Sequence, residues 1–172
     1  MPRRVLDEFL DRIVRTIAGR SESIGYERRR LMLKKTQHGN AAIIEFQRSQ
    51  TSTSETVTFT VNLAVVCGAL LDPEMLSIDE AKSIDGHLRV RIGTIMPQLQ
   101  DMWWTISSGS DFGRIEADVV GAVCNFGIPY VEQHLSDAAL IQLWDSGKAP
   151  GLTEVQRTRN LRELRRSAQR TS

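Results

Sequence analysis

From Thr56 to Leu63 polar and apolar residues alternate without interruption. Val57, Phe59, Val61, Leu63 and Val65 share one parity, and Thr56, Thr58, Thr60 and Asn62 share the other. A helix would scatter the five apolar residues around its axis, whereas successive strand residues point to opposite faces. This segment therefore reads as a strand with one apolar and one polar face. The apolar face requires a cover.

The neighbouring segments keep the same period of two. Leu31 and Leu33 alternate with Arg30, Met32 and Lys34. After a turn at residues 37–40, Ala42, Ile44 and Phe46 oppose Ile43, Glu45 and Gln47. A polar connection follows at residues 49–54. Asp72-Pro73 then breaks the sheet, and residues 75–83 read as a short helix or an irregular loop. Residues 87–93 form a fourth strand, with Leu88, Val90 and Ile92 on one side and His87, Arg89 and Arg91 on the other.

Helices flank this block. Leu6, Phe9, Ile13 and Ile17 recur at helical spacing before a stop at Gly19. Beyond the fourth strand, Leu99, Met102, Trp103 and Ile106 predict a helix over residues 98–106. A longer one follows over 112–126, capped by Ser110 or Asp111 and closed by Gly127. Pro129 suits the first turn of a short helix, Ser136 caps another that Gly147 closes, and Thr153 to Gln156 form a capping box. The expected fold is α+β. An N-terminal helix precedes a small antiparallel sheet of about four strands, and a C-terminal run of helices packs on one sheet face.

The 172 residues suit one domain, set at 1–151, with 152–172 as a basic C-terminal helix or tail. Hydrophobic content of 41% and charged content of 25% exclude overall disorder, and a net charge of +1 supplies no field toward nucleic acid. Cys67 and Cys124 lie outside any CxxC pair and read as buried thiols of a reducing compartment. The basic start is interrupted by Asp7 and Glu8, and the longest apolar run is roughly half the ~18 residues a membrane span needs. A cytoplasmic protein without a membrane partner is expected.

Motif by motif, the sequence offers no complete catalytic machinery. Its glycines are scattered rather than gathered in a phosphate loop, and His38, His87 and His134 sit in three different elements without metal-ligand spacing. The reading is therefore no cofactor, no metal and no assigned catalytic residue. The acids Asp72, Glu74, Asp79, Glu80 and Asp85 lack the rhythm of a calcium loop. What remains is the polar sheet face, where Gln47, Asn62, His87, Arg89 and Arg91 gather. Arginines at i and i+2 present planar donor forks to carboxylate or phosphate. Trp103-Trp104 adds a second feature, with Trp104 as the candidate contact residue at the sheet edge. In the C-terminal helix, Arg157, Arg162, Arg165 and Arg166 could touch phosphate backbones, although no aromatic residue accompanies them to stack on bases.

The ordered segments Ile44-Glu45-Phe46-Gln47-Arg48-Ser49, Phe59-Thr60-Val61-Asn62-Leu63, Leu88-Arg89-Val90-Arg91-Ile92-Gly93 and Trp103-Trp104 resemble a bacterial domain-of-unknown-function family, numbered forty-three-zero-four. Phe126-Gly127-Ile128-Pro129-Tyr130-Val131, followed by Ser136, is similar to its helical half. The resemblance runs from about Leu6 to Leu143. It implies an α+β fold and a bacterial origin, and it carries no activity. The insertion before the arginine strand is longer than the family pattern suggests. The reading favours a non-catalytic protein-interaction module, by analogy with small α+β proteins an immunity protein for a toxin. The alternative is a small-anion binder or enzyme centred on Arg89 and Arg91.

Overall fold

A computed structural model describes residues 3–171; Ser172, at the end of the basic tail, lies outside them. Helix α1 (Arg3–Ser21) buries Leu6, Phe9, Leu10, Ile13, Val14 and Ile17 along one stripe. It runs two residues past Gly19 and ends where the Ser21 hydroxyl donates to the Ile17 carbonyl at 2.9 Å.

Among the described residues the sheet has six strands rather than about four: β1 (Glu27–Arg29), β2 (Met32–Gln37), β3 (Asn40–Arg48), β4 (Thr56–Val66), β5 (Leu88–Arg91) and β6 (Trp104–Ser107). The order is β1-β2-β3-β4-β5, every pairing is antiparallel, and β6 lies beside the first half of β4. One edge of β4 thus pairs with β3 while the other carries β5 and β6 end to end. Two local features account for the extra strands. Arg30 takes a left-handed backbone (φ 56°), folding what reads as one strand into the β1–β2 hairpin without a glycine or asparagine to announce it. The helix expected over 98–106 is absent; its end is β6, whose residues 104–107 gain a partner in Thr56–Phe59.

Ala42, Ile44, Val57, Phe59, Val61, Leu63 and Val65 are fully buried against the helices. At about 1.5–3 kcal/mol for each large side chain, β4 anchors the core. Helix α2 (Phe112–Ala122) is capped by Asp111, whose carboxylate accepts from the Arg114 amide at 3.0 Å. It does not stop at Gly127. A π-helical turn (Val123–Gly127) leads straight into α3 (Ile128–Gln133). A Cβ on Gly127 would stand 3.2 Å from Leu63 Cδ2, so this glycine permits close approach to the sheet. Ser136 caps α4 (Asp137–Asp145), and the Thr153–Gln156 box opens α5 (Glu154–Thr171). Leu161 and Leu164 of α5 join the core.

The second sheet face is only partly open. Residues 71–85 fold back over one end, where Leu71, Leu76, Ile78 and Ala81 cover Ala41, Ile43, Ala64 and Val66. Lys34 fastens this cover: its ammonium donates to the carbonyls of Ile78 (2.5 Å), Asp79 (3.0 Å) and Ala81 (2.9 Å). The Glu45 carboxylate accepts from the amide and the hydroxyl of Ser83. The sequence reading has helices on one sheet face and treats the other as a polar surface throughout, so this apolar cover is a difference. The loop's apolar residues are too irregularly spaced to signal the burial.

Candidate functional site

At the uncovered end of the second face, register alone brings polar residues together. Asn62 of β4 stands opposite Glu45 of β3 and Arg91 of β5, and Gln47 stands opposite Thr60. Asn62 is buried and donates from Nδ2 to Gln47 Oε1 at 2.7 Å. Arg91 donates from Nη1 to Asp101 Oδ2 at 2.7 Å, and the same oxygen accepts from Trp103 Nε1 at 3.0 Å. The Arg91 guanidinium also lies 5.1 Å from the centre of the Trp103 ring, within cation–π range. Asp101 thus orients both side chains at once. The segment carrying it is tied down by the Thr60 hydroxyl, which donates to the Met102 carbonyl at 2.7 Å.

Two exposed apolar side chains flank this strip. Ile84 (66% exposed) tops the short 3-10 turn that packs over β4. Leu99 (73% exposed) precedes Asp101 by two residues and holds a left-handed backbone, φ 50°. A bulky residue in that conformation is strained.

Gln47, Asn62 and Arg91 are therefore brought together. Arg89 shares their face but is exposed, opposite Ala64. His87 lies at the far end of β5, where its Nδ1 accepts the Cys67 amide at 3.1 Å. Burial, then the nearby Arg159 charge, holds its imidazole below the ordinary range. Trp104 is not on this face. It is buried in the main core, stacked on Phe59 at 5.7 Å. Neighbours along a strand point to opposite sides, so Trp103 is the tryptophan beside Arg91; read with period two, Trp104 and Ile106 point inward.

Other titratable clusters serve the fold. The Cys67 thiol is fully buried, donates to Asp137 Oδ1 at 3.5 Å, and is pushed up to about 12 by burial and by that carboxylate. A thiol so held is no nucleophile. The Tyr26 hydroxyl donates to Glu132 Oε1 (2.9 Å) beside the Lys35–Glu132 ion pair, and its burial raises the phenol far above its usual range. Among the described residues no group of three or more His, Cys, Asp or Glu is placed to hold a metal ion, and no helix is long and apolar enough to cross a membrane. In α5, Arg157 donates to the Trp144 carbonyl and Arg165 pairs with Asp145, leaving Arg162 and Arg166 exposed.

Among the described residues, five clefts are each lined without Gln47, Asn62, His87, Arg89, Arg91 or Trp104. The largest of these five, about 1170 Å³, opens between the β1–β2 hairpin and α1. Its signal in the sequence is the run Arg28-Arg29-Arg30, which reads there only as part of a strand. Residues 22–133 match a family described as a domain of unknown function, DUF4304. No curated protein and no solved structure matches the chain.

Proposed function

We propose, for a chain that belongs to the DUF4304 family, a non-catalytic protein-interaction module whose contact surface is the open end of the second sheet face. The observation that carries this reading is the Arg91–Asp101–Trp103 cluster, which lines none of the five clefts described above. Arginine and tryptophan dominate binding energy at protein interfaces, most of all where their rotamers are fixed beforehand. A patch outside these clefts suits a protein better than a small molecule, which needs a concave site. Ile84 and Leu99 add apolar contact at its margins.

The small-anion alternative has less support. An anion bound by Arg91 would have to displace Asp101, and Arg89 alone offers a single exposed fork. Two unpaired cysteines accord with a cytosolic location. In its narrower form, the partner is a toxin that this chain neutralises.

Quantitative co-purification from the native host tests the proposal. A protein recovered with the unaltered chain should be retained by Arg162→Ala/Arg166→Ala and lost with Arg91→Ala/Trp103→Ala. Retention by the second pair, with the fold intact, would reject this surface.

A further inference from the structure

We propose a second binding site: the groove between the β1–β2 hairpin and α1 takes an extended, acidic peptide segment of a protein partner. It lies beyond β3 from the Arg91 cluster and does not depend on that surface. Six cationic side chains line it (Arg4, Arg28, Arg29, Arg30, Arg48 and Lys82) against four carboxylates, with Leu31, Met32 and Phe46 between them.

The ion pairing decides which charges are left for a ligand. Asp7 pairs with Arg48 at 3.1 Å, Glu8 with Arg4 at 2.9 Å, and Asp11 with both Arg15 and Arg28. Glu45 is held by Ser83. Every carboxylate in the lining is thus engaged. Arg29 donates to the neutral Asp79 carbonyl, and the side chains of Arg30 and Lys82 form no ion pair among the described residues. Three cations therefore stand around the groove without an ion-pair partner among the described residues. Arg30 is placed there by a left-handed backbone that an arginine adopts only at a cost.

The chemistry of the occupant follows from the lining. A nucleic-acid backbone needs an uninterrupted cationic track, whereas ion-paired acids and the apolar Leu31, Met32 and Phe46 separate the cations here. A peptide can place its carboxylates against Arg29, Arg30 and Lys82 and an apolar side chain over Leu31 and Phe46. Strand geometry favours an extended segment. β3 outruns β2, whose pairing ends at Met32 opposite Glu45, so Gln47 and Arg48 have no β2 neighbour.

Fluorescence anisotropy of the full chain with a labelled, short Asp/Glu-rich peptide carrying one central Phe tests the site. Its controls are the same peptide with Asn and Gln for the acids and a single-stranded oligonucleotide. The acidic peptide should bind and weaken with salt. Arg30→Asp/Lys82→Glu, both at exposed positions, should reduce binding at least tenfold. Arg91→Ala/Trp103→Ala should leave it unchanged, which separates this site from the first. Absence of acidic-peptide binding, equal binding of the neutral peptide, equal or tighter binding of the oligonucleotide, or indifference to the charge reversal would each overturn the proposal.

Discussion

A Cβ built on Gly93 would sit 2.0 Å from the Gln100 carbonyl oxygen and 2.7 Å from the Met102 amide nitrogen. Both are backbone atoms, so neither can swing aside as a side chain would. Gly93 is therefore what lets residues 100–103 lie against the sheet and deliver Asp101 to Arg91. Gly93→Ala should cost roughly 2–3 kcal/mol, the upper range for overpacking. It should also move Trp103 off Arg91, a change that thermal denaturation and tryptophan fluorescence record together. His87 governs a second effect at this scale. Its folded-state pKa is depressed, so unfolding favours proton uptake. The stability it contributes is present above the ordinary imidazole pKa of about 6.5 and is lost as the pH falls through the folded value. The unaltered chain should lose more melting temperature between pH 7.5 and pH 5 than His87→Gln does. Equal losses would place the titration elsewhere.

Residues 71–85 act as one element although they contain little regular structure, because Lys34 and Glu45 hold them from below. Lys34 is only 3% exposed, and burial lowers its pKa. Its charge is met directly by three carbonyl dipoles, with Asp79 and Asp85 adding attraction from farther off. Lys34→Met keeps the aliphatic stem and removes the donors; at 1.5–3 kcal/mol for a charged hydrogen bond, partly recovered when water reaches the freed carbonyls, it should cost about 2–4 kcal/mol. Hydrogen exchange at residues 77–85 should quicken while α1 stays protected. Nothing in the sequence around Lys34 distinguishes it from an exposed lysine, since its role depends on carbonyls more than forty residues away. The same limit explains β6. Leu99, Met102, Trp103 and Ile106 satisfy a helical spacing locally, and only the free edge of β4 at Thr56–Phe59 makes residues 104–107 a strand. By contrast β4, the Ser136 cap and the Thr153–Gln156 box were legible, because alternation and caps are settled within a few residues. Strand parity places Gln47, Asn62 and Arg91 on one face, as the fold does. A helix over 98–106 turns Trp103 inward, and the groove has no local signal because its walls come from two elements that only the fold brings together.

At the scale of the whole molecule, the issue is whether residues 152–172 form a detachable basic tail. Six arginines suggest a solvated helix, but side chains of α5 also bind it to the body. Leu161 and Leu164 enter the core, Arg157 donates to the Trp144 carbonyl at 2.7 Å, and Arg165 pairs with Asp145. Trp144 is itself fully buried under this helix–helix contact. Burial of two leucines is worth about 3–6 kcal/mol, a large share of the 5–15 kcal/mol that holds a domain folded. Truncation after Gly151 should therefore sharply lower the melting temperature and expose an apolar surface on α4, seen as dye binding or self-association. Arg162→Ala/Arg166→Ala removes exposed charge alone and should leave the melting temperature within a degree or two, in line with surface changes of ±0.5 kcal/mol. A truncated chain as stable as the full one would instead mark a tail. Retention on DNA at low salt, present in the full chain and lost with the double alanine variant, would assign its arginines to phosphate contact.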